Sequence, residues 1–105
     1  VKVVWSPLAI ERAYEAAAYI AGDKPEAALH WLGGLFEVTD RLEMFPESGR
    51  VVPEIGLPHF RELVYEKAYR VIYRVEPMRV SVLTIRNFAQ SLDQSELDSS
   101  SEPAG

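Results

Sequence analysis

The sequence predicts an α+β fold: a helical hairpin packed on one face of an antiparallel sheet, in the order β-α-α-β-β-β. Three observations carry that prediction. Apolar residues recur at helical spacing from residue 7 to residue 45, broken once at Gly22-Asp23. From residue 60 to residue 86 the period changes to two. The chain has 105 residues, 48% of them apolar, which allows one domain with a sizeable core and no second one.

Lys2–Trp5 reads as a short opening strand. Ser6-Pro7 then supplies an N-cap and a first-turn proline whose missing N–H costs nothing there. Ile10, Ala13, Tyr14, Ala17, Ile20 and Ala21 form one helical face, and Gly22 closes the helix. Asp23 and Glu26 bracket Pro25 as a second start signal. Ala28, Trp31, Leu32, Leu35, Leu42 and Phe45 continue at helical spacing to Pro46, a helix of about 20 residues and about 30 Å. Gly33-Gly34 in its middle implies either a close helix–helix approach or a local bend. Pro46 to Pro58 is loop, with a short strand at Arg50–Val52. Phe60–Glu66, Tyr69–Val75 and Arg79–Arg86 make a meander of hairpins. In the middle strand Tyr69, Val71, Tyr73 and Val75 share one face, and Arg70, Ile72 and Arg74 share the other. In the last strand strict alternation sets Leu83 and Ile85 against Val82, Thr84 and Arg86.

Charge is unevenly distributed. The net −5 divides into −4 over residues 1–49, +3 over 50–86 and −4 over 87–105. Six of the seven cations in the middle segment are arginine. The last segment, rich in Ser, Asp and Glu, buries too little apolar surface to offset its ordering entropy. Residues 1–92 are therefore expected to form the domain, and 93–105 a disordered acidic tail. The absence of cysteine excludes disulfides, thiolate zinc sites and thiol nucleophiles. With only His30 and His59 present, a histidine-rich metal centre is excluded too. No apolar run approaches the roughly 20 residues of a membrane span, and the start lacks the pattern of a secretory signal. A cytoplasmic protein without membrane contact is expected.

No phosphate loop, dinucleotide fingerprint or catalytic triad is present, and no cofactor or metal is implied. The one candidate constellation is Arg61, Arg70, Arg74 and Arg86 on consecutive strands, with Tyr65, Tyr69 and Tyr73 close by. Guanidinium groups on a rigid sheet can fork onto phosphates or carboxylates. They can equally pair with Glu62, Glu66 and Glu76 across strands, as a charged sheet face commonly does. His59 is a lone loop histidine beside proline, and His30 lies on the solvent side of the second helix. Trp5 and Trp31 fit as core anchors. Glu11/Glu15 and Glu37/Asp40/Glu43 read as wet helix faces.

The stretches WSPLAIERAYEAAAYIAGDKPEAA (5–28), LEMFPESGRVVPE (42–54), FRELVYEKAYRVIYRV (60–75) and VSVLTIRNFAQ (80–90) resemble the RelE/ParE superfamily of bacterial toxins. The similarity is greatest to its ParE, or plasmid-stabilisation, branch. The ordered series FP..GR, REL and YR.IYRV is the specific part, and the resemblance covers residues 1–92. It implies the β-α-α-β-β-β fold and a cognate antitoxin that neutralises the toxin in a hetero-oligomer. Two activities divide the superfamily. RelE-like members cut messenger RNA on the ribosome; ParE-like members poison DNA gyrase. By position, Arg61 and Arg70 match the basic sheet positions, and Leu63 falls where the nuclease branch can carry a lysine. Asn87-Phe88-Ala89-Gln90 falls where members often carry His, Tyr or basic residues. The nuclease reading would place Arg61, Arg70 and Arg86 on the scissile phosphate. It lacks a proton shuttle unless Tyr65 or Tyr69 serves, and arginine is a poor general base. The resemblance therefore favours gyrase as target, contacted through Arg61, Arg70, Arg74 and Arg86, with ribosome-dependent cleavage of mRNA as the alternative. A degenerate toxin that only binds antitoxin is a third possibility.

Overall fold

The computed structural model describes residues 1–98. Strand β1 (Lys2–Trp5) leads into helix α1 (Pro7–Ala21), helix α2 (Pro25–Asp40) and a 3₁₀ turn at Arg41–Glu43. Strands β2 (Arg50–Val51), β3 (Phe60–Tyr65), β4 (Tyr69–Val75) and β5 (Arg79–Asn87) follow, and a short helix α3 (Gln94–Asp98) closes the described chain. The sheet has five strands in the order β1-β5-β4-β3-β2. It is mixed, not purely antiparallel: β1 runs parallel to β5, with Val3 opposite Val80 and Trp5 opposite Val82. The expected meander leaves one edge of β5 open, and the first strand fills it, with the helical hairpin and the other strands lying between the two in sequence.

Local signals explain most boundaries. The Ser6 hydroxyl accepts a hydrogen bond from the Ala9 amide at 3.0 Å and donates to the Leu83 carbonyl at 2.9 Å. One side chain thereby caps α1 and ties it to β5. Gly22 ends α1 with φ +57°. The expected Asp23–Glu26 box does not form; Lys24 is the N-cap and Pro25 begins the first turn of α2. The α2 helix ends at Asp40, and the chain tightens into the 3₁₀ turn before Pro46.

Both helices cover one face of the sheet. From α1 the buried residues are Ala9, Ala13 and Ala17, while Tyr14 is 56% exposed. The predicted stripe was centred too far toward the large side chains. A row of alanines lets α1 lie close against β5, and the bulkier apolar groups ride at its flank. From α2, Trp31 meets the rings of Tyr65 and Tyr69 edge-on at 5.3 and 5.1 Å. The Tyr65 hydroxyl donates to the Trp31 carbonyl at 2.8 Å. That contact explains Gly34: a Cβ there would overlap the Tyr65 hydroxyl, whereas one at Gly33 would meet nothing. The close approach is of helix to sheet, not helix to helix. Trp5 stacks edge-on against Phe36 at 5.0 Å.

Opposite this face lies a second one, lined by Phe60, Glu62, Arg70, Ile72, Leu83 and Thr84. Alternation along β5 slips here. Ile72 opposes Thr84 and Tyr73 opposes Val82, so Leu83 is an extra residue in a β-bulge. Val80, Val82 and Ile85 consequently face the helices, while Leu83 joins Val52, Ile72 and Leu97 on the second face. The tail expected to be disordered from residue 93 begins instead with α3, because Leu97 (4% exposed) completes that cluster. Residues 99–105 of that expectation lie outside the described residues.

Gly34→Ala should lower stability by about 1–3 kcal/mol through overpacking against Tyr65. Gly33→Ala should raise it by about 1 kcal/mol through helix propensity alone. Urea denaturation of the two variants measures both signs.

Candidate functional site

The arginines that the sequence groups together are divided by the sheet. Arg61 opposes Tyr73 and lies on the helix-facing side, whereas Arg70, Arg74 and Arg86 lie on the second face. Tyr65, Tyr69 and Tyr73 are all buried on the helix side of the sheet, opposite Arg70, though Tyr69 and Arg86 line one cavity at the end of the sheet. Burial raises the pKa of Tyr65 and of Tyr73, so neither is prepared to accept a proton. Tyr73 instead accepts a hydrogen bond from the Gly49 amide at 2.9 Å.

Arg70 sits at the centre of the second face with its side chain 6% exposed. Its Nε and Nη2 donate to Glu62 Oε1 at 2.9 and 2.6 Å. Its Nη1 and Nη2 donate to the two oxygens of Glu54, both at 2.7 Å. The other oxygen of Glu62 accepts from Arg50 Nε at 2.7 Å. The Phe88 ring lies 5.8 Å from the Arg70 guanidinium and 5.9 Å from that of Arg50. Glu62 is fully buried, so an arginine must accompany it: a buried carboxylate without its cation is costly. The pKa of Arg70 is raised, first by its bonds to Glu54 and then by Glu62, against the opposing effect of burial.

The other predicted residues are engaged as well. Arg61 donates to the carbonyls of Pro58 and Gly49, both at 2.9 Å, and pins the loop before β3. Arg74 approaches Glu76 at 3.4 Å, and Arg79 shares that carboxylate at 3.2 Å. Ser81 donates to the same carboxylate. Arg86 pairs with Glu96 at 3.3 Å, a partner the sequence reading assigned to disordered tail. Asn87 to Gln90 forms a turn closed by its own amides and offers no titratable group. His59 packs on Phe60 at 4.6 Å, and His30 is exposed on α2. Among the described residues, Arg70, Arg74 and Arg86 of the second face each lie against a carboxylate.

A different feature, unmarked by any motif, faces outward on β3. Strand β2 covers only Arg61 and Glu62. The Phe60 carbonyl accepts from the Val52 amide at 3.0 Å, so alternate residues of β3 direct their backbone groups outward. Val64 continues that series, among the described residues no strand lies beyond it, and it is half exposed. Shallow grooves of about 440 and 340 Å³ flank this edge, lined by Leu29, Gly33, Val38, Phe45, Leu63 and Val64. Short β2 was legible in the sequence; the free edge it leaves was not.

A family model described as the ParE toxin of the type II toxin-antitoxin system parDE matches residues 3–92. No curated protein matches the chain significantly. Among solved structures, a chain from the chromosomal ParDE TA system of P. aeruginosa is similar to this one at 20% identity. It superposes with a TM-score of 0.70 over 83% of this chain and 95% of that chain. Among the described residues no helix is long and apolar enough to cross a membrane.

Glu62→Gln should cost about 3–5 kcal/mol, because it leaves Arg70 and Arg50 short of a buried counter-charge. Arg70→Lys should fall between wild type and Glu62→Gln, since one ammonium cannot fork onto two carboxylates. Chemical denaturation checks the order. The carboxyl of Glu54 is held below its ordinary value of 4.5, chiefly by Arg70. That of Glu76 also lies low: burial alone would raise it, but Ser81, Arg74 and Arg79 outweigh burial. Depressed carboxyls stabilise the fold above their unfolded pKa and lose that contribution as pH falls through the folded one. Stability should therefore be nearly flat from pH 7 to 5 and decline below about pH 4.5, less steeply in Glu54→Gln.

Proposed function

Because this chain belongs to the ParE toxin family of type II toxin–antitoxin systems, we propose that it is a toxin that traps DNA gyrase and is neutralised by a cognate antitoxin. The observation that carries the choice of target is the occupancy of the arginines. Arg61, Arg70, Arg74 and Arg86 all make contacts within the chain. Gripping a scissile phosphate with Arg70 would require breaking its buried ion pair with Glu62, and among the described residues no group beside it is placed to move the protons. A toxin that acts by binding a protein machine needs neither. The acidic balance of the whole chain fits the same reading, since it disfavours non-specific nucleic-acid binding. Such a toxin would work in the cytoplasm.

The antitoxin reading rests on the open edge of β3. An extended antitoxin segment can add a strand beside Val64 and set alternate apolar side chains into the flanking grooves. Backbone hydrogen bonds would supply affinity, and the exposed Leu29 and Phe45 would give the grooves apolar walls.

Purified toxin at micromolar concentration should abolish supercoiling of relaxed plasmid by gyrase and accumulate cleaved DNA, and equimolar antitoxin should reverse both. Unchanged supercoiling without cleaved DNA would overturn the proposal. Codon-phased cuts in translated message would establish the nuclease alternative. Arg70→Ala is a poor probe of either activity, because it would strip the buried Glu62 of its main counter-charge. Val64→Pro removes one outward N–H without touching the β3–β4 ladder. It should leave stability nearly unchanged and weaken antitoxin binding about fivefold, the worth of one hydrogen bond of about 1 kcal/mol. Titration calorimetry measures that ratio.

A further inference from the structure

Glu96 and Leu97 are buried side by side on α3, although residues 91–98 are otherwise mostly polar. Leu97 inserts into the cluster of Val52, Ile72 and Leu83. The Glu96 carboxylate, on a residue only 5% exposed, reaches three groups contributed by α1 and β5. Thr84 Oγ1 donates to it at 2.9 Å, but Arg12 Nε lies at 3.5 Å and Arg86 Nη1 no nearer than 3.3 Å. The contacts of Arg70, by comparison, are 2.6–2.9 Å. Arg86 Nε is buried without a hydrogen-bond partner. A cavity of about 420 Å³ opens beside the same two arginines, where Glu15, Tyr19, Asn87 and Gln90 also line the wall. Arg12 Nη1 is held more closely by Glu15, at 3.0 Å, and Arg86 Nη2 donates to the Ser91 carbonyl, so Glu96 occupies this basic site while Arg86 Nε stays without an acceptor.

We propose that Arg12, Thr84 and Arg86, together with the apolar cluster of Val52, Ile72 and Leu83, form a receptor site for an acidic peptide in which a carboxylate residue precedes leucine. The chain's own Glu96-Leu97 occupies this site as a displaceable plug. A five-residue helix cannot sustain itself without docking. Its docking rests on Leu97 with Leu92 beside it, on the Ser91 carbonyl that accepts from Arg86 Nη2, and on a carboxylate that Thr84 holds at 2.9 Å and the two arginines only at 3.3–3.5 Å. The short connection through residues 88–93 keeps the plug at high effective concentration, so an isolated peptide competes poorly. A longer partner segment with the same acidic-leucine pair adds contacts in the adjacent cavity and wins. This inference is independent of whether gyrase is the target.

A labelled peptide of residues 91–98, SLDQSELD, tests it against the full chain and against the full chain carrying Glu96→Gln and Leu97→Ala. In the double variant, backbone NMR shifts of residues 93–97 should move to random-coil values. Fluorescence anisotropy should then show the peptide binding the variant at least tenfold more tightly than wild type. The same peptide with Glu96→Gln should lose at least tenfold of that affinity. Should the double variant not fold, the isosteric Glu96→Gln alone serves with the same readouts. Shifts that stay native-like in the variant would overturn the proposal. So would equal binding to both proteins, or binding to neither.

Discussion

The buried pairing of Glu62 with Arg70 is the constraint around which the second face is arranged. A carboxylate fully removed from water requires a counter-charge and hydrogen bonds to most of its lone pairs. Arg70 from β4 supplies two donors, and Arg50 from β2 supplies more to the other oxygen. Arg70 in turn has donors to spare, and these draw in Glu54 from the loop after β2. One charged centre therefore fixes β2, β3, β4 and the connecting loop relative to one another. It brings specificity of arrangement more than net stability, since desolvation offsets much of the attraction. It also commits the guanidinium of Arg70 to Glu54 and Glu62.

The motifs that carry the family resemblance describe this same scaffold. The Gly-Arg of FP..GR places the Gly49 amide on the Tyr73 hydroxyl and Arg50 on Glu62. In REL, Arg61 pins the loop and Glu62 is the buried carboxylate. In YR.IYRV, Arg70 answers Glu62, while Tyr73 fills the helix-side core. Motifs rich in arginine on a sheet invite a catalytic interpretation; here each of these arginines also has a partner within the chain. The surfaces we propose for other proteins lie along the outer edge of β3 and around α3.

Much of the architecture was legible because it depends on local rules. Ser6-Pro7 and Gly22 bound α1 through capping and positive φ, effects that act within a few residues. Period-two alternation placed Tyr69, Val71 and Tyr73 together on the core side of β4. The misreadings share a different cause. Alternation in β5 failed at Leu83 because a bulge adds one residue relative to β4, and only the partner strand makes that visible. The face of α1 was misplaced because a stripe of alanines has little hydrophobic weight, although close packing on β5 selects it. Gly34 could not be interpreted without Tyr65, 31 residues further along. Separation in sequence from their partners also hid Glu96 and Leu97: an acidic, serine-rich segment reads as solvated unless the basic and apolar sites that receive it are known.

By itself the sequence determined the α+β class, the helical hairpin, the last three strands and, through its motifs, membership of a toxin family. These follow from residue spacing and from short-range capping and turn chemistry, which need no knowledge of distant neighbours. The tertiary structure alone decided that β1 joins β5 in parallel, that Arg61 lies across the sheet from Arg70, and that each predicted arginine already has a partner. The physical reason is that a side chain's charge is written in the sequence, whereas its availability depends on which opposite charge the fold brings within about 3 Å.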